Sequence, residues 1–396
     1  MRPMRVLHLC FAYPSLQFPG DGSFLHNAVK PLCDAGLQAL AVMPVPYVPG
    51  ILGRFFARTK RAALLPRNYE FEGIPVFVPR YLRLPHALIG ERLPITLARA
   101  VESAIDQKPD LIHAHYAYPY GTAAIELRRR WRVPVVLTLH GSDATVLPYQ
   151  SEAARRRFVH AILRADHVLA VSEDIVNRTR DLTGRTAQFW PIGVGLEQFR
   201  RRDEKSKLRR QLGLPMNKKL LLFVGQLQKS KGVDQLPALM DRLDPGVHAV
   251  VVGDGPVRNQ IRSSPRCTWV PTVSNTRVAS YLNAVDLMVH PSETEGTPTV
   301  LVEAGAAHLP VVATPVGGVP ALLAGDRGLL AEVRNMDSLV VAVQAALADP
   351  AAGARRADRL YAHISKEYDC IKNAYKLKQL YAELTARGTL HPVASV

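Results

Sequence analysis

Leu220-Leu221-Leu222-Phe223-Val224-Gly225-Gln226-Leu227-Gln228-Lys229-Ser230-Lys231-Gly232 is an apolar run that meets a glycine, then two lysines and a second glycine. The apolar part reads as a short buried strand. A strand ending in glycine and lysine ahead of a helix suits a phosphate pocket, where free helix N–H groups and a point cation face an anion. It is not a Walker loop, because GxxxxGK[ST] is absent. A solvated turn with surface lysines would look the same taken alone.

Working outward, the pattern repeats. Ahead of this run, Val6–Phe11, Ala39–Val45, Val76–Pro79, Asp110–Ala114, Val133–Leu139, Val168–Val171 and Ala187–Trp190 read as strands. Helix candidates lie between them at Ser23–Ala35, Thr96–Ile105, Thr122–Arg130, Glu152–Arg164 and Glu173–Arg180. Beyond it come strand candidates Ala249–Val252, Cys267–Val270, Leu287–His290, Val311–Ala313 and Leu329–Ala331. Helices are expected at Asp234–Leu243, Val278–Ala284, Val300–Ala307, Ser338–Leu347, Arg355–Tyr361 and Tyr368–Leu384. Strands alternating with helices argue for parallel βαβ units and a layered α/β fold. The charged stretch Arg200–Arg210 reads as a boundary, since few buried contacts cross so polar a segment. The expected domains are 1–195, 196–365 and a C-terminal helix and tail, 366–396, packing back toward the first domain.

Composition sets the bounds. The chain has 396 residues, 47% apolar and 21% charged, which is ordinary for a folded protein and excludes disorder. No run approaches the roughly 18 apolar residues of a membrane span, and the apolar start Val6–Tyr13 is short for a signal peptide. Four scattered cysteines, Cys10, Cys33, Cys267 and Cys370, read as reduced cytoplasmic thiols. A formal charge of +16 calls for anionic company: nucleic acid, a phosphorylated substrate or an anionic bilayer.

Ligands of such sheets bind outside the carboxyl ends of the strands, and the informative residues fall there. Val251-Val252-Gly253-Asp254-Gly255-Pro256 ends a strand in a turn that permits close backbone approach. Leu287-Met288-Val289-His290 runs into Pro291-Ser292-Glu293-Thr294-Glu295-Gly296-Thr297-Pro298-Thr299 and then Val300-Leu301-Val302-Glu303-Ala304. Glu303, inside an apolar helix, must find a partner or expose itself; ribose hydroxyls are one such partner, and the wet side of the helix is the plain alternative. Val311–Ala313 leads to Gly317-Gly318, Val133–Leu139 to His140-Gly141-Ser142-Asp143, and the first strand to Pro19-Gly20-Asp21-Gly22-Ser23. His113 and His115 share one face of a strand, with no third metal ligand evident in the sequence.

Five of these motifs, in order, resemble the retaining GT-B glycosyltransferases of family 4 over nearly the whole chain: His140-Gly141-Ser142-Asp143, Gly225 to Gly232, Gly253 to Pro256, Glu295 with Glu303, and Gly317-Gly318. The resemblance implies two Rossmann-like doubly wound domains facing across a cleft, with a C-terminal helix returning to the first. It implies a nucleotide-sugar donor, UDP- or GDP-linked, with Lys231 on the pyrophosphate, aided by backbone N–H groups near Gly22 and near Thr297, Pro298 and Thr299. Gly225, Gln226, Gly253 and Gly255 would line the donor site. Glu303 would take the ribose, Glu295 would orient the sugar, and His140 would sit near the reacting carbon. Fixed cations and dipoles at a leaving diphosphate lower the barrier, so no metal is expected. The sequence departs from the family at Gln226, where Arg is usual, at Pro191-Ile192-Gly193-Val194-Gly195, and at Ala321, where an acid is usual.

Residues 35–69 hold no acid, and Ile51–Leu65 mixes cations with Phe and Leu, the composition of a helix on an anionic bilayer. Arg128-Arg129-Arg130-Trp131-Arg132 and Arg155-Arg156-Arg157 add charge, although solvated faces of a basic protein read equally well. The expected acceptor is a glycan or lipid-linked glycan, with an anionic membrane surface as candidate partner and a cytoplasmic or peripheral location. A less specific resemblance to bacterial exopolysaccharide, teichuronic-acid and lipopolysaccharide assembly enzymes points the same way. Rival readings are transfer to a soluble small acceptor and a nucleotide-sugar-binding protein without turnover; no nucleic-acid module is recognisable.

Overall fold

The computed structural model describes residues 2–47, 64–82, 92–200 and 204–387. The chain divides into two units: Met1–Trp190 with Ile371–Val396, and Pro191–Cys370.

The first unit is built on an eight-stranded sheet. Its strands are β1 (Arg5–Leu9), β2 (Gln38–Val42), β4 (Asn68–Phe71), β5 (Ile74–Phe77), β7 (Leu111–His115), β8 (Val135–Leu139), β9 (His167–Ala170) and β10 (Gln188–Phe189). A separate parallel pair joins β3 (Val45–Tyr47) to β6 (Arg80–Leu82). The sheet order is β10-β9-β8-β7-β1-β2-β5-β4. Every pairing is parallel except β4 with β5, a hairpin that the expected strand at 76–79 did not include. The strand order reverses at β1, between β2 and β7, and that switch point is where doubly wound sheets open a crevice for ligands. The central strands have apolar runs because both faces are covered; all five residues of Val135–Leu139 are buried.

Helices start where the sequence caps them. Ser151 accepts from the Ala154 N–H to open Glu152–Arg164, and Ser172 does the same for Glu173–Thr183, which ends on left-handed Gly184. The last helix, Cys370–Ala386, belongs to this unit beyond its first residue. It buries Ala374, Leu377 and Tyr381 against Val6, Leu32, Leu111 and Val136.

The second unit carries a six-stranded parallel sheet, β13-β12-β11-β14-β15-β16. Here β11 is Lys219–Val224, β12 Val247–Val252, β13 Cys267–Val270, β14 Leu287–His290, β15 Val311–Ala313 and β16 Leu329–Leu330. Its switch point lies between β11 and β14, the two strands whose following loops hold Lys231 and Glu295. Residues 193–195 close this unit by pairing with its far end: the Val194 N–H donates to Tyr368, and the Cys370 N–H donates back to Val194.

Two expectations are corrected. The charged stretch 200–210 is no open boundary, because Lys205–Gln211 is a helix with Leu208 and Arg209 buried. Arg209 survives burial by pairing with Asp286 at 2.7 Å and donating to three backbone carbonyls. The helix expected over 234–243 is shorter, Leu236–Arg242, after two short 3-10 turns. Residues 51–63 of the basic amphipathic stretch lie outside the described residues. Among the described residues, no helix is long and apolar enough to cross a membrane.

Candidate active site

The loops after β11, β14 and β15 interlock at the carboxyl edge of the second sheet. Gly232 is left-handed at φ 66°, and a Cβ there would stand 1.9 Å from the Pro291 carbonyl oxygen. Only glycine lets the Lys231 loop lie on the β14 loop, and the Glu293 N–H fixes it by donating to Ser230 at 3.0 Å. Gly317 (φ 54°) likewise passes within what would be 2.2 Å of the Glu295 carbonyl oxygen. Arg334 ties the same loops from outside, pairing with Asp234 and Glu293 and donating to the Lys229 carbonyl.

This interlock places Lys231 Nζ 2.8 Å from Glu295 Oε1. The same oxygen accepts from His290 Nε2 and Ser292 Oγ, each at 2.8 Å. Burial pushes the Glu295 carboxyl upward, yet the His290 hydrogen bond and the Lys231 charge overcome it and bring the pKa to about 2. Glu295 is thus ionised at any working pH. Beyond their place at and just after the end of β14, His290 and Ser292 carry no sequence signal of holding Glu295.

Glu303 is the contrast. Every residue from Val300 to Ala306 in the helix Thr299–Ala306 is buried, so this helix has no wet side. Glu303 is only 6% exposed, and no hydrogen bond or ion pair holds its carboxyl among the described residues. Burial alone raises its pKa to about 7. No side chain caps the helix N-terminus at Pro298 and Thr299, which leaves first-turn N–H groups for an anion. Thr297 is buried beside it.

Gly225, Gly253 and Gly255 all lie at the neighbouring strand ends: the Gly225 N–H donates to Val252, and the Leu227 N–H to Asp254. Gln226 is exposed in the first of these turns. Trp269, which no motif marks, donates to the Gly253 carbonyl at 2.9 Å.

The first unit holds His140 and Gly22. Gly22 opens the helix Ser23–Asp34 in a left-handed conformation. His140 follows β8, and its loop is organised by buried Asp143, whose carboxylate accepts the N–H groups of His140, Gly141 and Ala117. Behind it stands a cluster the sequence showed only in part. The third histidine beside His113 and His115 is His8, opposite His113 on the neighbouring strand. His8, His113 and His115 have ligand atoms within 4.8 Å of one another, the one such group among the described residues. The nitrogens of His113 and His115 are engaged by protein partners: His113 by Tyr381 and Thr138, His115 by His8 and His140. Burial holds His8 and His140 near pKa 3 and His113 and His115 well below the usual value, so all four rings are neutral.

The arginine runs prove partly structural. Arg128 is partly buried in a bidentate pair with Asp166, Arg130 pairs with Glu102, and Arg157 covers the Tyr118 ring.

The second Rossmann-like unit carries a cation, an ionised carboxylate and an unpartnered buried carboxyl, and the first carries a neutral histidine, an inventory that suits a nucleotide-sugar-dependent glycosyltransferase of the GT-B fold. Residues 54–198 match the Glycosyltransferase Family 4 model and residues 204–376 the Glycosyl transferases group 1 model. The chain belongs to this family. It is 35% identical to the protein named as a teichuronic acid biosynthesis glycosyltransferase, TuaC, in Bacillus subtilis, over 96% of this chain and 99% of that one. It is 31% identical to a D-inositol 3-phosphate glycosyltransferase of Nocardiopsis dassonvillei, covering 88% and 87%. Among solved structures, Anabaena HepE in complex with UDP-glucose shares the fold with a TM-score of 0.74 at 22% identity, covering 96% and 100%.

Proposed function

We propose that this protein is a retaining glycosyltransferase that transfers a hexose from a UDP-sugar, with a GDP-sugar as the second candidate, to an acceptor hydroxyl without a metal ion. The observation that carries this is Glu303: a buried carboxyl with no protein partner, one turn into an uncapped helix that directly follows the Lys231–Glu295 pair. Two ribose hydroxyls donating to Glu303 would supply the partners its site withholds. Lys231 and the first-turn N–H groups of the helix from Thr299 onward would hold the diphosphate. As the glycosidic bond breaks, negative charge builds on the diphosphate, and Lys231 together with these dipoles stabilises it. Glu295, fixed and ionised, would accept from sugar hydroxyls and orient the donor. His140 is the residue we assign to the donor sugar near the reacting carbon.

For the acceptor, we infer a soluble hydroxylic molecule such as a polyol or sugar phosphate; the relative named for D-inositol 3-phosphate and the charge of +16 support it. Transfer to a glycan or lipid-linked glycan is the second reading, favoured by the relative named for teichuronic acid biosynthesis. Calorimetric titration with UDP, GDP and ADP, free and sugar-linked, without added metal, tests the donor site; selective binding of one nucleotide sugar is expected. Product analysis with polyol phosphates on one side and lipid-linked glycans in vesicles on the other separates the acceptors. Failure of every nucleotide and nucleotide sugar to bind would overturn the proposal.

A further inference from the structure

We infer that His8 and His115 act as positioning residues that fix the tautomer of His140, holding its proton on Nδ1. The reading of His140 as a donor-sugar residue is needed only for the effect on turnover. Three imidazoles stand in line across the first sheet: His8 Nδ1 lies 3.3 Å from His115 Nε2, and His115 Nδ1 lies 3.0 Å from His140 Nε2. His8 and His115 are stacked, with centroids 5.6 Å apart, and both are nearly inaccessible. A neutral imidazole has one donor and one acceptor nitrogen. The two contacts link Nδ1 to Nε2 each time, so the three rings must share one tautomer: a proton on Nδ1 throughout, or on Nε2 throughout.

The ends of the chain choose between them. His8 Nε2 and His140 Nδ1 are both buried without a hydrogen-bond partner. With protons on Nε2, the orphan N–H would be that of His8, on a central strand of the sheet. With protons on Nδ1, His8 presents only a bare acceptor, and the spare N–H belongs to His140. Either tautomer leaves one buried N–H unpaired, on His8 or on His140; His8 is 1% exposed on a central strand, whereas His140 is half-buried at its strand end, so the unpaired N–H costs less on His140. His113 stays outside the chain: its Nδ1 meets the Tyr381 hydroxyl at 2.5 Å and its Nε2 meets Thr138 Oγ1 at 2.6 Å. It walls the chain by stacking on His115, centroids 4.3 Å apart.

The test is long-range proton–nitrogen correlation NMR of the full-length, nitrogen-15-labelled protein, read without substrate, with single-histidine variants assigning the signals. His8, His115 and His140 are expected to carry the proton on Nδ1. In His115→Leu the donor to His140 is gone: His140 becomes a tautomer mixture and kcat falls about tenfold or more, with KM for the donor within about twofold. His115→Asn places an amide N–H where Nδ1–H stood, and restores both the tautomer and most of kcat. A proton on His140 Nε2, unlike tautomers in the three rings, or a leucine variant with unchanged His140 tautomer and kcat would each overturn the inference. If the leucine variant does not fold, the wild-type tautomers and the asparagine variant still decide. Uniform Nδ1–H tautomers beside a His140→Ala enzyme of undiminished turnover would overturn the functional reading instead.

Discussion

Replacing Glu303 by Gln should make the free protein more stable at alkaline pH while weakening its grip on nucleotide. The native carboxyl titrates near 7 against an ordinary 4.5, and burial is the cause. Between those values the native state keeps a proton that the unfolded chain has lost, so stability falls as pH rises from 4.5 to 7 and stays low above it. At about 1.36 kcal/mol per pH unit, the ionised carboxylate costs about 3 kcal/mol at pH 8 and less than about 1 kcal/mol at pH 5. Glutamine has the same shape and never ionises, so the variant avoids that cost. For a unit the size of Pro191–Cys370, the gain corresponds to a Tm increase of about 5–10 °C at pH 8, shrinking to about 2 °C at pH 5. UDP should invert the comparison. Hydroxyl bonds to a carboxylate contribute about 1.5–3 kcal/mol, so the wild type gains more from UDP than the variant, whose Kd rises about 10- to 100-fold. Scanning calorimetry of both proteins at the two pH values, with and without UDP, reads every combination. A variant no more stable than wild type at pH 8, or a gain independent of pH, would refute the picture of Glu303 as an ionised carboxylate held without a partner.

Lys231→Ala should lower kcat/KM about 100-fold or more by removing the cation from the leaving diphosphate; it should also raise the Glu295 pKa, since Lys231 is among the groups holding it near 2, and both are read from a pH–rate profile. Gly232→Ala forces a Cβ against the Pro291 carbonyl at a left-handed backbone and should destabilise by at least about 2 kcal/mol; a thermal melt at or above the wild-type value would contradict this. Gln226→Arg restores a second cation at an exposed position in the phosphate turn. It should tighten UDP binding about threefold to tenfold, an effect that weakens with salt in titrations at two ionic strengths.

The strand–helix alternation was legible because parallel strands buried on both faces, such as Val135–Leu139 and Leu220–Val224, leave unbroken apolar runs. Glycines at their ends were legible for an equally local reason: close approach of two loops admits no Cβ. What the sequence hid depends on register and distance. His113 and His115 show their common face through alternation alone, but His8 joins them from a strand about a hundred residues away, and only the pairing of His8 with His113 brings it there. The hairpin Asn68–Phe71 with Ile74–Phe77 alternates residue by residue in burial toward the sheet edge, so it lacks the apolar run that marks the central strands. Arg209 looked like part of a polar run because its partner, Asp286, lies far along the sequence, just ahead of β14.

Glu303 shows most sharply where pattern reading stops. Its helix was legible, yet the sequence left open which side faces water. Packing settles this: Gly305 lies so close to Leu360 and Ile364 that a Cβ would collide with both, and Val300, Leu301, Val302, Ala304 and Ala306 join the core against the sheet. The two glutamates therefore differ in kind. Glu295 has three hydrogen-bond partners on one oxygen and is ionised before any ligand arrives. Glu303 has none and sits close to half-ionised at neutral pH. A ligand that donates hydrogen bonds to Glu303 must lower its pKa, so binding near pH 7 releases a fraction of a proton, and that fraction vanishes above about pH 9, where the carboxyl is already ionised. Titration of UDP in two buffers of different ionisation enthalpy measures that proton directly. Its absence at pH 7 in the wild type, with UDP bound, would mean that the nucleotide does not engage Glu303.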